Sequence, residues 1–311
     1  MTLPNFLVIG ASKSGTTSLY YYLQQHPDVY MSPVKEPKFF AFEGQEVYFR
    51  GAGIQRRVTS GLTTDIEEYR ALFEGAEGEK AIGEASTLYL YSPRAPGRIK
   101  HHVPEARLIA LLRNPVQRAY SAYVQHVRDG REPLSFSEAL REEERRIQDG
   151  WYHVYHYKNR GLYHGQLKRY FELFDRERIK VCLYEELNED PVGVSRDVFR
   201  FLGVDDAFEP DTSLRHNVSG GIPKSEALAA LIDTPNLLMT LAKSVLPERL
   251  RKRVLADLKN RNFKRVPPLP EEARSEVIEV FREDVFKLQE LLGRDLSGWL
   301  DGGRRGVRDV A

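Results

Sequence analysis

The sequence predicts an α/β fold in which helices cover both faces of a doubly wound parallel sheet. Two observations carry this prediction. Four short apolar runs alternate with segments of helical periodicity, and the runs are continuous instead of alternating between apolar and polar residues. Continuous apolar runs are typical of parallel strands buried on both faces. Alternation of strands with helices favours right-handed crossovers within one sheet.

The predicted strands and helices alternate along the chain. The predicted strands are Phe6 to Gly10, Lys80 to Gly83, Leu108 to Leu112 and Ile179 to Tyr184. The predicted helices between and after them are Thr17 to Gln25, Val116 to Arg128, Phe136 to Gln148 and Leu162 to Phe174. Additional C-terminal helices are predicted over Ser225 to Leu258 and Glu271 to Leu292.

Two long connections, 44–64 and 204–224, are rich in glycine or proline and polar residues. Loops of this length in a compact domain are usually functional or disordered. We expect one domain over residues 1–300 and a disordered tail over 301–311.

Composition excludes several classes of protein. The chain has 311 residues, of which 41% are hydrophobic and 29% charged, with a formal net charge of +1. This balance is typical of a soluble globular protein and speaks against broad nucleic-acid binding. The single cysteine, Cys182, excludes an internal disulfide and a cysteine-rich metal site. No run approaches the ~20 apolar residues that a membrane span needs, so we expect a cytoplasmic protein. The sequence does not indicate an oligomeric state.

The first strand runs directly into a loop that suits a phosphate. Gly10 is followed by Ala-Ser-Lys-Ser-Gly-Thr-Thr-Ser and then by a helix. Backbone N–H groups and a helix N-terminus converge on an anion in such a loop, and Lys13 adds a full charge. The common nucleotide loop places its lysine after the second glycine, whereas here Lys13 precedes Gly15. A shorter loop favours a 5′-phosphate with one attached group over a triphosphate. The candidate binding residues are Lys13, Ser14, Gly15, Thr16, Thr17 and Ser18.

A second anion-binding pair follows the third predicted strand. Arg113 lies at the strand tip, and Asn114 with Pro115 forms the start of a helix as N-cap and first residue. Ser121 lies about two turns into that helix, so a guanidinium and a hydroxyl could reach one phosphate. A structural salt bridge of Arg113 is the alternative.

These two motifs together resemble the cofactor-binding signature of sulfotransferases that use 3′-phosphoadenosine 5′-phosphosulfate (PAPS) as sulfuryl donor. The chain is most similar to the carbohydrate type, the heparan sulfate N- and O-sulfotransferases. Supporting matches are Pro33 to Phe40, Gly83 to Tyr89 and Leu292 to Trp299. The resemblance implies a P-loop-type three-layer α/β/α fold. It also implies that the first loop holds the 5′-phosphosulfate, that Arg113 and Ser121 hold the 3′-phosphate, and that no metal is required.

The resemblance further implies the catalytic groups. Glu84, at the end of the second predicted strand, is expected to be the general base that removes the acceptor's proton. Lys13 is expected to stabilise charge on the leaving phosphate, and Lys35 is a second candidate for that role. His126 corresponds to a histidine that assists the N-sulfating relatives, although its spacing differs by one residue. A surface histidine is the alternative. Lys224 lies in a glycine-containing stretch where relatives cover the nucleotide, and a solvated basic loop is the alternative.

Two other functions stay open. A P-loop kinase would use Glu185 beside a magnesium ion, and a non-catalytic module would bind the nucleotide without turnover. For a sulfotransferase the acceptor is a carbohydrate, a lipid or an acyl-chain alcohol, carrying a hydroxyl or an amine. The aromatic segment from Trp151 to Tyr163 either lines the acceptor cleft or packs in the core.

Overall fold

The computed structural model describes residues 2–51, 56–57, 62–213, 222–223, 263–264, 269 and 271–301. The strands within these ranges are β1 (Phe6–Gly10), β2 (Val29–Met31), β3 (Tyr48–Phe49), β4 (Arg56–Arg57), β5 (Ala81–Ala85), β6 (Arg107–Leu112), β7 (Ile179–Leu183), β8 (Ile222–Pro223) and β9 (Phe263–Lys264). Five of them form one parallel sheet in the order β2-β5-β1-β6-β7. The other four pair as two short antiparallel ribbons, β3 with β4 and β8 with β9.

Helices flank the sheet. Those described are α1 (Thr16–Gln24), α2 (Phe39–Phe42), α3 (Ile66–Ala71), α4 (Leu88–Tyr91), α5 (Ala95–His102), α6 (Pro115–Arg128), α7 (Phe136–Gln148), α8 (Tyr163–Phe171), α9 (Tyr184–Glu189), α10 (Pro191–Leu202) and α11 (Glu271–Leu292). None of the described helices is both long enough and apolar enough to pass through a lipid bilayer.

Alternating side chains of the central strand divide the core between two faces. Phe6 and Val8 of β1 pack on the face covered by α1 and α10. Leu7 and Ile9 pack on the opposite face, against α4, α5, α6, α8 and α11. The result is the predicted α/β/α arrangement around a parallel sheet.

The four predicted strands are confirmed as β1, β5, β6 and β7, and the helix predicted over Glu271 to Leu292 is confirmed with the same bounds. Strand β2 has only three residues, too few for a periodic pattern, and was not predicted. The helices α4, α5 and α9 were not predicted either, because each has eight residues or fewer and so only about two turns of periodicity at most. Cys182 of β7 is buried and free, as expected. The predicted helix over Ser225 to Leu258 and the tail 302–311 lie outside the described residues.

The carboxyl ends of the five parallel strands meet at one edge of the sheet, where a ligand is expected to bind. Asn114 begins α6 as predicted, because its side chain accepts hydrogen bonds from the backbone N–H groups of Val116 (3.0 Å) and Gln117 (3.3 Å). The Asn114 side chain also donates to the carbonyl of Trp299 at 3.0 Å. These contacts fix the tip of β6, which carries Arg113.

Candidate functional site

A cavity of about 570 Å³ opens at the carboxyl edge of the sheet. Its walls come from the loops after β1, β2 and β5, from the β6–α6 segment, and from α9 with its continuation into α10. The residues that line it are Ser12, Lys13, Gly15, Thr16, Thr17, Ser18, Tyr22, Lys35, Glu36, Thr87, Arg113, Ser121, Gln125, Tyr184, Leu187, Asn188, Glu189, Pro191 and Thr212. The cavity therefore brings together residues of the predicted phosphate loop, of the arginine–serine pair and of the segment bearing Lys35.

The loop after β1 has the backbone shape of an anion-binding turn. Lys13 and Gly15 adopt positive φ values of 67° and 87°. Gly15 precedes α1, and a Cβ at this position would stand 3.0 Å from the Tyr184 ring. Glycine thus provides both the left-handed conformation and the space at this position. Ser14 is fully buried beneath the loop and does not line the cavity, whereas Thr16, Thr17 and Ser18 do.

Lys13 crosses from this loop towards α6. Its ammonium donates a hydrogen bond to Gln125 Oε1 at 2.8 Å, and its carbonyl accepts one from the Arg113 guanidinium at 3.2 Å. Burial lowers the pKa of Lys13 to about 8, and the positive charges of Arg128 and Arg113 act in the same direction. Such a lysine is still mostly charged at neutral pH, and a bound anion would stabilise that charge further.

Arg113 and Ser121 line the same cavity. The Arg113 guanidinium lies over the Tyr184 ring, 4.3 Å from its centroid. Arg113 Nε and Ser121 Oγ are buried and have no hydrogen-bond partner among the described residues. Buried polar atoms are rarely left in this state, so both atoms are available to a ligand.

The loop after β2 contributes Lys35 and Glu36. Glu36 has a positive φ of 65°, and its backbone N–H donates to the carbonyl of Ala85 at 3.0 Å. Its carboxylate accepts hydrogen bonds from the Thr87 backbone N–H and from Thr87 Oγ1 at 2.8 Å. The Lys35 ammonium lies 3.5 Å from Glu36 Oε1. A carboxylate and an ammonium are therefore held side by side on the cavity wall.

Sequence reasoning did not single out Glu36 as a functional residue. The available signal was the charged pair Lys35-Glu36 between Pro33 and Pro37. Its meaning depends on β2, because only a parallel strand ending at Met31 brings this loop to the ligand-binding edge.

Glu84 was expected at the site, and the structure places it outside the cavity lining. Its side chain is fully buried, and Tyr69 Oη donates a hydrogen bond to Glu84 Oε1 at 3.2 Å. Burial is the largest cause that raises the Glu84 pKa, which reaches about 7, and the charge of Glu36 adds to it. The Glu84 carboxylate is thus enclosed in the core and does not face the cavity, and its role as the general base stays a prediction.

The buried Glu84 carboxyl makes stability depend on pH. Its pKa is about 7 in the folded protein, against 4.5 for an ordinary glutamate. The stabilising contribution of the protonated carboxyl is therefore complete below about pH 4.5 and is lost as the pH rises through about 7. Glutamine is neutral at every pH. We expect the Tm of Glu84→Gln to rise relative to the wild-type Tm between about pH 5 and about pH 8. Thermal unfolding of both proteins measures this, and a pH-independent difference would contradict it.

His126 also lies outside the cavity lining. It is buried, and burial lowers its pKa to about 4. His126 Nδ1 lies 3.0 Å from the hydroxyl of Tyr157, which donates to Glu132 Oε2 at 2.9 Å. Arg146 in turn pairs with the Glu132 carboxylate at 2.6 Å. His126 is thus a member of a buried hydrogen-bonded chain and not a surface histidine.

None of the aromatic residues from Trp151 to Tyr163 lines the cavity, and most of the tyrosines among them pack in the core. Tyr155, Tyr157 and Tyr163 are fully buried in the core. Tyr152 is half-buried, and its hydroxyl lies 3.4 Å from the ammonium of Lys38, which follows Glu36 by two residues in the sequence.

Lys224, the residue predicted to help cover the nucleotide, lies outside the described residues.

Comparisons with known protein families and solved structures agree on the family that this chain resembles. A family model described as "Sulfotransferase family" matches residues 4–210. A crystal structure of a sulfotransferase from Alicyclobacillus acidocaldarius is 37% identical, covers 96% of this chain and 99% of that chain, and superposes with a TM-score of 0.75.

Curated relatives extend the similarity over nearly the whole chain. The bifunctional heparan sulfate N-deacetylase/N-sulfotransferase 4 of Mus musculus is 27% identical over 319 residues, which cover 96% of this chain. The bifunctional heparan sulfate N-deacetylase/N-sulfotransferase 3 of Homo sapiens is 28% identical over 322 residues with the same coverage. The match spans 31% of the length of each of these two relatives.

Proposed function

We propose that this chain, which belongs to the sulfotransferase family, transfers the sulfuryl group of PAPS to an acceptor hydroxyl or amine. The observation that carries the proposal is the single cavity that joins the phosphate loop, the Arg113–Ser121 pair and the Lys35–Glu36 pair. A donor with a phosphosulfate and a separate 3′-phosphate needs two anion-binding sites, and the cavity offers two.

The residues fit such a donor. On the loop side, Lys13, the start of α1 and the hydroxyls of Thr16 to Ser18 favour a phosphosulfate. On the other side, the unpartnered Arg113 Nε and Ser121 Oγ favour a second phosphate. When bound, PAPS would supply an activated sulfuryl group with adenosine 3′,5′-bisphosphate (PAP) as its leaving group.

Glu36 is the general base in this proposal. The acceptor O–H or N–H bond breaks and its proton passes to the Glu36 carboxylate, while the acceptor atom forms the new bond to sulfur. The hydrogen bonds from Thr87 fix the carboxylate on the cavity wall. Glu36 replaces Glu84 in this role because it lines the cavity.

Lys13 and Lys35 provide electrostatic stabilisation. As the bond from sulfur to the leaving phosphate breaks, the electron pair stays on that phosphate. Positive charges held in advance beside the growing negative charge lower the barrier. Both lysines line the cavity, and Lys35 stands next to the proposed base.

The alternatives receive less support. Glu185, the magnesium-side carboxylate of a kinase, does not line the cavity, and its Oε1 accepts a hydrogen bond from the Asn114 backbone N–H at 3.1 Å. A non-catalytic module would have no need for a carboxylate beside Lys35 on the cavity wall. The acceptor remains a carbohydrate, a lipid or an acyl-chain alcohol in this proposal.

Calorimetry with PAP and with ATP, each with and without magnesium, tests the donor. We expect PAP to bind without magnesium and ATP to bind weakly, because the loop is short and a second phosphate site is present. Magnesium-dependent ATP binding with no response to PAP would favour the kinase. PAP binding without turnover in an acceptor screen would favour the binding module.

A further inference from the structure

The side chain of Gln125 makes a contact to which the proposed mechanism gives no role. Gln125 lies in the last turn of α6, one turn after Ser121, and both residues line the cavity. Its Oε1 accepts a hydrogen bond from the Lys13 ammonium at 2.8 Å. Among the described residues this is the one hydrogen-bond acceptor of that ammonium.

Lys13 stands among positive charges. Arg113 follows β6, and Arg118 and Arg128 lie on α6; all three disfavour the charged amine. Asp129, after α6, acts in the opposite direction, and it is itself 3.3 Å from Arg128 Nε. Without an acceptor the ammonium would be repelled from this wall of the cavity and would lose its proton more readily.

Other charged groups face the same cavity from the remaining elements. Lys35 and Glu36 come from the loop after β2, where they lie 3.5 Å apart, and Glu189 comes from α9. No hydrogen bond or ion pair joins any of these three to the Lys13 ammonium within the described ranges. Among the described residues, Gln125 is therefore the one that accepts a hydrogen bond from the Lys13 ammonium in the cavity.

A neutral amide suits this position. A carboxylate there would pair with Lys13 and repel an anionic donor, and an apolar side chain would leave the ammonium without a partner. An amide oxygen accepts from the ammonium and cancels none of its charge.

We propose that Gln125 is a positioning residue that holds the Lys13 ammonium protonated and aimed into the donor cavity. Its role in sulfuryl transfer rests on the proposed function, whereas its hold on Lys13 does not. Helix α6 thereby links the two halves of the site, since it carries Ser121 for one phosphate and Gln125 for the lysine of the other.

The pH dependence of Lys13 labelling tests this hold without any acceptor. A small amine-reactive reagent is applied to the whole protein across a pH series, and the modified Lys13 peptide is quantified by mass spectrometry. In Gln125→Leu the labelling midpoint is expected to fall by about one pH unit, the size expected for a lost hydrogen bond to a charge. In Gln125→Glu it is expected to rise, because a carboxylate favours the ammonium.

Opposite shifts in the two variants are a signature that a merely structural residue would not produce. Gln117→Leu, on the same helix and outside the cavity lining, is the matched control and should keep the wild-type midpoint. Equal labelling midpoints in the wild type and the three variants, all shown to be folded by thermal unfolding, would overturn the proposal. Should Gln125→Leu fail to fold, Gln125→Met takes its place, and the same downward shift is expected because methionine also removes the amide acceptor.

Calorimetry with PAP separates this inference from the proposed function. PAP affinity in Gln125→Glu is expected to fall because the added negative charge faces the donor's anionic groups. If wild-type protein does not bind PAP but the midpoints shift as expected, the donor assignment fails and the hold of Gln125 on Lys13 stands. If PAP binds and the midpoints do not move, Gln125 has no positioning role.

Discussion

Replacing Glu36 by glutamine is expected to lower kcat by about 10²- to 10⁴-fold, the usual contribution of a general base. Glutamine keeps the shape of the side chain, and an amide oxygen in the place of Glu36 Oε1 can still accept hydrogen bonds from the Thr87 backbone N–H and hydroxyl. It cannot take the acceptor's proton. The rate of PAP formation from PAPS, with an acceptor found by screening, measures the loss. PAP affinity should stay within about twofold of wild type, since a base acts on the acceptor and not on the nucleotide.

Glu84→Gln is the matched control for this prediction. The two glutamates lie at the same edge of the sheet, but only Glu36 lines the cavity. The Glu84 substitution is expected to change stability with pH and to leave kcat within about threefold of wild type, as is usual for a substitution that touches no reacting group. A large loss in Glu84→Gln with near-normal turnover in Glu36→Gln would reverse the assignment and restore the base predicted from sequence.

The choice between Glu84 and Glu36 as the general base depends on a feature that the sequence does not reveal. Glu84 directly follows the apolar run of a predicted strand, and a strand end is a sound guide to the ligand-binding edge. Both faces of this sheet are covered by the core, however, and the cavity is lined by residues that follow the strand ends. Strand β5 extends to Ala85, so Glu84 lies inside the strand and its side chain points to one covered face or the other. Glu84 pairs in register with Leu7, whose side chain packs in the larger part of the core. No pattern in the sequence distinguishes that direction from the other.

The proposed donor half of the site has signals in the sequence that are local. A strand, a short loop with Lys13 and Gly15, and a helix predict an anion site within about a dozen residues. The Arg113–Ser121 pair needs only one strand end and one helix, and Asn114 marks the boundary between them. Contacts between distant segments carry no such signal. The hydrogen bond from Lys13 to Gln125 joins residues 112 positions apart, and neither the residue types nor their spacing predicts it.

Arg113→Ala is expected to weaken PAP binding by about 10- to 100-fold, the range for a lost hydrogen bond to a charged group. The Arg113 guanidinium also donates a hydrogen bond to the Lys13 carbonyl at 3.2 Å and lies over the Tyr184 ring. Part of the loss could therefore come from a displaced phosphate loop. Calorimetry with PAP alone would not separate the two causes.

Adenosine 5′-monophosphate separates them because it lacks the 3′-phosphate. If Arg113 holds that phosphate, the substitution weakens PAP far more than the monophosphate, and Ser121→Ala shows the same selectivity with a smaller loss. Since both side chains would contact one phosphate, the double variant should lose less than the sum of the single losses in free energy. Equal weakening of PAP and the monophosphate would mean that Arg113 acts through the Lys13 loop, and the second anion site would have to be sought elsewhere in the cavity.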